Sequence, residues 1–97
     1  MSGGTNALIA ALLDKAPGTQ VCDAASTPWF SATFAGERHV VALSFADAAA
    51  AARFCDGLDD HVFALANGFV AEIHAAVPVK YGDRLRVDVE ALTIEAA

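Results

Sequence analysis

Polar and apolar side chains alternate in the stretch RLRVDVEA, residues 84–91, and this alternation constrains the fold more than any other feature of the chain. One face of the stretch carries Leu85, Val87, Val89 and Ala91, and the other carries Arg84, Arg86, Asp88 and Glu90. A period of two is typical of a strand with one buried and one solvated face. The chain is therefore predicted to contain a sheet whose apolar side must be covered by other elements.

Beyond Glu90 the same alternation would place apolar residues on the polar face of the strand. If it persists, Leu92 and Ile94 lie on the polar face, while Thr93 and Glu95 point towards the core. A bulge after Glu90 would instead turn Leu92 and Ile94 inwards. The sequence leaves both arrangements open.

The dipeptide Asn67-Gly68 lies between alternating apolar runs and predicts a two-residue hairpin turn, because both central positions of a type I′ turn need positive φ. Counting outwards from that turn pairs Leu65 with Val70, Phe63 with Glu72 and His61 with His74. For Val87 and Val89 to share a face with Ile73 and Ala75, the turn at residues 80–83 needs an odd number of residues, with three and a glycine bulge expected.

Two stretches predict helices. Apolar residues recur at helical spacing from Leu8 to Ala16, and Pro17-Gly18 ends the run. The alanine-rich stretch at residues 46–57 has an acidic residue at its start and Gly57 at its end. Its predicted inward stripe consists of Ala48, Ala51, Ala52, Cys55 and Leu58.

Between these helices, residues 29–45 predict a second hairpin. A two-residue turn at Gly36-Glu37 would pair Ala35 with Arg38. It would put Phe30, Ala32, Phe34, His39, Val41 and Leu43 on the core side, and Trp29, Val40, Ala42 and Ser44 on the other. The preceding QVCDAASTP is expected to be an irregular connection or a brief edge strand that ends at Pro28.

The order of elements is therefore α-β-β-α-β-β-β in a single domain, residues 1–97. The simplest way to bury two amphipathic helices and one apolar sheet face is a two-layer α+β sandwich, with both helices on the same face of an antiparallel sheet.

Charge and cysteine content narrow the class of protein. A formal net charge of −6 is the wrong sign for neutralising phosphates, so neither nucleic acid nor an anionic membrane is an expected partner. The first residues show no signal-peptide pattern, which favours a soluble, cytoplasmic protein. Cys22 and Cys55 lie far apart, so we expect reduced, mostly buried thiols and no disulfide, metal or cofactor.

The predicted registers place large apolar side chains on the sheet face away from the helices. These residues are Phe63, Leu65, Val70 and Leu92. An exposed apolar patch flanked by charges is the usual appearance of an association site. The sequence therefore favours a small, non-catalytic module that forms a homodimer through this outer face.

A ligand site is the alternative, with His61, Glu72 and His74 as its polar groups. Imidazole and carboxylate suit zinc, but the same residues on a solvated sheet face need no metal. The Asp59-Asp60-His61 run is typical of a turn, and we assign it no catalytic role.

The stretch AAVPVKYGDRLRVDVEA resembles the Pro-then-Gly-Asp hairpin of the hot-dog fold of acyl-thioester enzymes. It covers under a fifth of the chain. The resemblance implies a pocket for a small molecule or acyl thioester at the sheet or at a subunit seam, and a long central helix followed by further strands. No position here matches a catalytic residue of that family.

Overall fold

The computed structural model describes residues 3–60, 63, 65 and 68–95, and in this part of the chain two helices cover one face of an antiparallel sheet. In chain order the described elements are α1 (Gly3–Lys15), β1 (Gln20–Phe30), β2 (Ala35–Phe45), α2 (Ala48–Cys55), β3 (Gly68–Ala75), β4 (Val79–Tyr81) and β5 (Arg84–Glu95), and a 3-10 turn lies at Leu58–Asp60. The predicted α+β class and order of elements are confirmed.

The central strand of the sheet is β5. It pairs with β2 along one side, and with β3 and then β4 along the other, so the strand order is β1-β2-β5-β3. Its predicted alternation is confirmed: Val87, Val89 and Ala91 are buried and Leu85 is half-buried. The register with β2 shows no shift, so the bulge considered after Glu90 does not occur.

The core lies between this face of the sheet and the helices. It contains Leu8 and Leu12 of α1, Ala51 and Phe54 of α2, Leu58, Phe63, and the strand residues Val41, Leu43, Phe45, Ile73, Val87, Val89 and Ala91. We call this side of the sheet the inner face and the opposite side the outer face. Burial of these large side chains is the main term that holds the two layers together.

The predicted turn of the first hairpin is wrong. Gly36 lies inside β2, opposite Trp29, and the chain reverses at residues 31–34, where the Ser31 N–H donates to the Phe34 carbonyl. The Ser31 hydroxyl in turn accepts a hydrogen bond from the Phe34 N–H at 3.0 Å. The search for a glycine turn in the sequence did not predict this serine-closed turn. Phe30 and Phe34, expected in the core, are 78% and 54% exposed.

The segment preceding that hairpin is a full edge strand. β1 continues through Pro28 to Phe30, although a proline was expected to end it. Ser31 and Phe34 form a hydrogen-bonded pair, and hydrogen-bonded and non-hydrogen-bonded pairs alternate along an antiparallel ladder. Pro28, opposite Glu37, therefore belongs to a non-hydrogen-bonded pair, and its nitrogen faces the free edge of the sheet. A residue without an N–H is tolerated at such a position.

The hairpin expected at Asn67-Gly68 falls mostly outside the described residues, and the two described residues of its first strand do not form the predicted pairs. Asn67 lies outside the described residues, Phe63 and Leu65 are not in a strand, and the hydrogen-bonded partner of β3 is β5. The turn between β4 and β5 has two residues, Gly82 and Asp83, rather than three, and Gly82 adopts φ +64°. The irregularity falls instead in β3, where the register shifts between Val70 and Glu72.

Helix α2 is short and amphipathic. The Asp47 carboxylate accepts from the Ala50 N–H at 2.8 Å and caps its start. Ala51 and Phe54 are its buried residues, whereas Ala48 and Ala52, predicted to face inwards, are exposed. Its eight residues do not provide the long central helix that the hot-dog resemblance implies. Among the described residues, no helix is long and apolar enough to cross a membrane.

Lys15 joins the ends of the two helices. Its ammonium group donates to the Phe54 carbonyl at 2.8 Å and lies 5.4 Å from the centre of the Phe54 ring. The carbonyls of Arg53 and Asp56 lie at 3.4 and 3.5 Å. A cation therefore satisfies carbonyls at the C-terminal end of α2 that have no partner within the helix.

We expect the substitution Lys15→Met, which keeps the aliphatic stem, to lower the free energy of unfolding by about 1–2 kcal/mol, because charge-assisted bonds to these carbonyls are lost. Urea unfolding followed by circular dichroism measures this. Lys80→Met, at an exposed position in β4, is the matched control and should change stability little. Equal effects of the two substitutions would contradict the role of Lys15.

Candidate functional site: the outer face of the sheet

The strand registers place the outward side chains in rows that run across the sheet. The row nearest the β1–β2 turn contains Trp29, Gly36, Ile94 and Phe69; the next contains Thr27, Arg38, Leu92 and Glu72; the third contains Ala25, Val40, Glu90 and His74; and the fourth contains Asp23, Ala42 and Asp88. Both helices pack on the other face. No described element therefore lies over these rows.

Apolar side chains are concentrated at the turn end of this face. We call Trp29, Val40, Phe69, Leu92 and Ile94 the apolar patch; Val40 and Phe69 are 44% and 53% exposed, and the other three are half-buried. The patch includes the two central strands, β2 and β5, where an outward valine or leucine has no neighbour above it. This is where an apolar face most needs a cover.

The opposite end of the same face is acidic. We call Asp23, Asp88 and Glu90 the acidic end; all three are exposed. Arg86 bonds to Asp88 at 2.8 Å, and this hydrogen bond is the main reason that the pKa of the guanidinium is raised. Apolar side chains therefore prevail at the turn end of the outer face and charged ones at the other end, and the two sets overlap in the rows of Leu92 and Val40.

The sequence placed only part of this patch correctly. Leu92 is on the outer face as predicted, and Ile94 joins it because the alternation of β5 persists. Phe63 is 8% exposed and belongs to the core, and Val70 packs against the core from the inner face, so the expected outer position is wrong for both. Leu65 is half-buried outside any strand.

Phe69 is the patch residue that sequence reasoning missed. The register shift in β3 leaves Ala71 without a partner, and it brings Phe69 rather than Val70 to the outer face, opposite Ile94. Since residues 69–71 are all apolar, their pattern could not indicate which one faces outwards. Trp29 and Val40 were assigned to this side, and the structure confirms that placement.

The predicted ligand-binding residues are only partly brought together. Glu72 and His74 share the outer face of β3 and are exposed, and His74 lies opposite Glu90. His61 lies outside the described residues. Within the part of the chain that the structure describes, no group of three His, Cys, Asp or Glu side chains is placed to hold a metal ion.

Directly beneath the patch, on the inner face, His39 joins three strands. Its ring is fully buried; Nε2 lies 2.8 Å from the Thr93 hydroxyl on β5, and Nδ1 lies 3.3 Å from the Ser26 hydroxyl on β1. The Thr93 hydroxyl donates to the Glu37 carbonyl at 3.3 Å, so it accepts from His39. This network assigns the ring proton to Nε2, and Nδ1 accepts from Ser26.

Burial lowers the pKa of His39, and the negative charge of Glu37 partly opposes this. The ring is therefore neutral at pH 7. A serine bonded to a neutral imidazole is the pairing that activates a nucleophile, but such a base must also pass its proton to a leaving group. A ring that is 0% exposed cannot do so. We interpret the cluster as one that fixes the strands under the patch.

At the turn end of the sheet, two glycines allow the backbones of β2 and β3 to approach that of β5 closely. A Cβ at Gly36 would collide with the Thr93 carbonyl and would lie 3.0 Å from the Trp29 indole nitrogen. A Cβ at Gly68 would collide with the Ile94 carbonyl. Trp29 therefore lies across bare backbone, where its buried N–H has no hydrogen-bond partner among the described residues.

The two cysteines are free and unlike in environment. Cys22 is exposed at the irregularity in β1, contrary to the expected burial, and Cys55 is half-buried. Burial raises the pKa of the Cys55 thiol, with Lys15 acting in the opposite direction.

Comparison with known proteins found no match: no family model, no curated protein and no solved structure is significantly similar to this chain. Any function proposed for this chain therefore rests on its own residues.

The His39 cluster predicts a pH dependence of stability. Because the folded-state pKa lies below the unfolded value of about 6.5, the unfolded chain binds more protons below that pH. The stabilisation is complete above pH about 6.5, and it declines as the pH falls from there towards the folded-state pKa, by up to about 1.4 kcal/mol per pH unit. Chemical unfolding measured from pH 7 to pH 5 tests this.

In that experiment His39→Gln should remove the extra slope, and His74→Gln, at an exposed histidine, should retain it. If the His39→Gln variant kept the slope of the wild type, the buried ring would not be its source.

The substitution Gly36→Ala tests the close backbone approach, because that approach reverses the expected sign of the change in stability. An alanine in place of a strand glycine with ordinary φ normally stabilises a protein by about 0.4–1 kcal/mol. Here we expect Gly36→Ala to cost about 1–3 kcal/mol, because the methyl group displaces β5 at Thr93. Thermal unfolding measures the difference, and a variant as stable as the wild type or more stable would rule out the close approach.

Proposed function

We propose that this protein is a non-catalytic module that self-associates through the outer face of its sheet, most simply as a homodimer. The observation that carries the proposal is the apolar patch, which lies on the two central strands and on both flanking strands with no described element above it. A monomer would leave Val40, on a central strand, and Phe69, on the flanking strand β3, in contact with water. A second copy supplies the cover.

The free energy available favours association. Complete burial of a large apolar side chain contributes about 1.5–3 kcal/mol, and the patch has five such side chains, of which three are already half-buried. The gain must exceed the cost of lost translational and rotational freedom, which is about 4–15 kcal/mol. Because the gain from side chains that are already partly covered is of the same order as this cost, the patch predicts weak association.

The size of the patch gives the same estimate. Four strands span about 19 Å, and three rows of outward residues span about 17 Å, so the flat area is roughly 300 Å² per copy. Standard interfaces bury about 800 Å² per partner. Two copies would bury about 600 Å² in total, which is below the standard range. We therefore propose a weak, reversible dimer that is populated at high protein concentration and is favoured by high salt, which screens the charge of −6.

We propose the cytoplasm as the location of this module. Two free cysteines, one of them exposed, support a reducing compartment.

The test compares two valine substitutions of the same chemistry. We expect Val40→Lys, at the exposed β2 position of the patch, to convert a concentration-dependent dimer into a monomer, because burial of an ammonium group in an apolar seam is costly. Within the chain the new lysine lies opposite Glu90, so the fold itself should tolerate it. Multi-angle light scattering after size exclusion, from low micromolar to near-millimolar protein, measures the mass.

Val77→Lys is the matched control, since this valine is 81% exposed, lies outside the patch and receives the same added charge. It should leave the dimer unchanged. A wild-type chain that remains monomeric throughout the concentration range, or a dimer that survives Val40→Lys, would overturn the proposal.

A further inference from the structure

From the end of the first hairpin we infer a second contact of this protein: the turn between β1 and β2 inserts shallowly into an uncharged lipid surface. We call Phe30, Phe34 and the turn residues 31–33 between them the aromatic tip. This inference goes beyond the proposed function, because neither phenylalanine belongs to the apolar patch and the partner is lipid.

The aromatic tip lies at one extremity of an elongated molecule. Strands β1 and β2 have 11 residues each and span about 36 Å, so the 45 Å long dimension of the chain runs along them. Phe30 is 78% and Phe34 is 54% exposed, and neither is covered by a described element. The tip therefore meets an approaching surface before the rest of the hairpin does.

The two phenylalanines lie on opposite sides of the hairpin. Ser31 pairs with Phe34 one step beyond the pair of Phe30 and Ala35, and successive pairs of a ladder direct their side chains to alternate faces. This puts Phe30 on the inner side and Phe34 on the outer side. A protein docked on one face of the sheet would leave one of the two rings in water, whereas a fluid lipid surface surrounds the end of the hairpin and covers both.

The polar groups that close the turn are bonded within it. The Ser31 N–H and hydroxyl both donate to the Phe34 carbonyl, and the Phe34 N–H donates to the Ser31 hydroxyl. A segment that enters an apolar medium must satisfy its backbone groups internally, because lipid chains offer no hydrogen-bond partners. The closure of this turn therefore lowers the cost of moving the tip out of water.

Charge selects the kind of lipid. Residues 24–36 contain no charged side chain, and the next two residues, Glu37 and Arg38, are of opposite sign. A net charge of −6 would be repelled by an anionic surface but not by a zwitterionic one. Glu95 lies at the level of Phe30, one residue beyond the pair of Gly36 and Ile94, so it restricts insertion to the tip itself.

The small size of the tip implies weak binding. Even a single acyl chain anchors a protein only marginally to a bilayer. Two exposed aromatic side chains bury less apolar surface than such a chain does, so we expect reversible binding that is detected at about millimolar lipid.

The only tryptophan of the chain, Trp29, is adjacent to Phe30 and reports on the tip. With the full chain at low micromolar concentration, we expect phosphatidylcholine vesicles to shift its fluorescence to shorter wavelength. Phosphatidylcholine brominated on its acyl chains should quench it. The vesicles should also carry the protein upwards in a flotation gradient, and vesicles that contain phosphatidylserine should carry less.

A double substitution, Phe30→Ser with Phe34→Ser, should lower the partition coefficient about tenfold or more, because burial of each ring contributes about a factor of ten. Val77→Ser with Tyr81→Ser is the matched control: these side chains are 81% and 50% exposed at the other end of the sheet, and their loss should leave vesicle binding unchanged. All four side chains are exposed, and circular dichroism verifies that both variants are folded.

Binding to phosphatidylcholine that the tip variant loses and the control variant retains supports the inference. Absence of binding to these vesicles, a preference for anionic vesicles, or binding that persists in the tip variant would refute it. If the tip variant instead lowers the mass found by light scattering without lipid, the tip belongs to a protein interface and the lipid inference is wrong.

Discussion

The arrangement of this molecule depends on one constraint, the uninterrupted alternation of β5 from Arg84 to Glu95. Because β5 is the central strand, its register with β2 on one side and with β3 and β4 on the other decides which face every neighbouring side chain occupies. The same alternation that sends Val87 and Val89 into the core sends Leu92 outwards. The regular central strand therefore accounts for Leu92 and Ile94 in the apolar patch, and the register shift in β3 adds Phe69.

The two ends of the sheet are stabilised by different interactions. Near Phe45 the helices supply apolar cover, and Phe54 contacts Phe45 with ring centres 5.2 Å apart. Towards the β1–β2 turn the inner face carries His39 and Thr93, and hydrogen bonds replace part of the apolar packing. Hydrogen bonds fix the relative positions of strands more specifically than non-directional apolar contacts do. The strands that present the patch are thus held in register at the end where the core is thinnest.

How far sequence reasoning reaches is clear from particular residues. Alternation in β5 and the stop at Pro17-Gly18 are local signals with a single physical cause, and both gave correct elements. The turns were harder, because Gly36 looks like a turn glycine when it is a position of close backbone approach, and the actual turn is closed by the Ser31 hydroxyl. Phe69 could not be placed at all, since a one-residue shift in β3 reverses its face and has no signature in an apolar run.

A face rather than an edge is the natural site of association in this fold. A sheet can also associate by adding a strand to its edge, which requires a regular row of free N–H and C=O groups. On β1 that row lacks a donor at Pro28 and is distorted between Val21 and Asp23. On the other side β3 is distorted between Val70 and Glu72, and the edge is broken between Ala75 and Val79. Irregularities of this kind are how natural sheets protect their edges. With both edges blunted and the inner face covered by helices, the apolar patch is the surface on which a second copy gains most by packing.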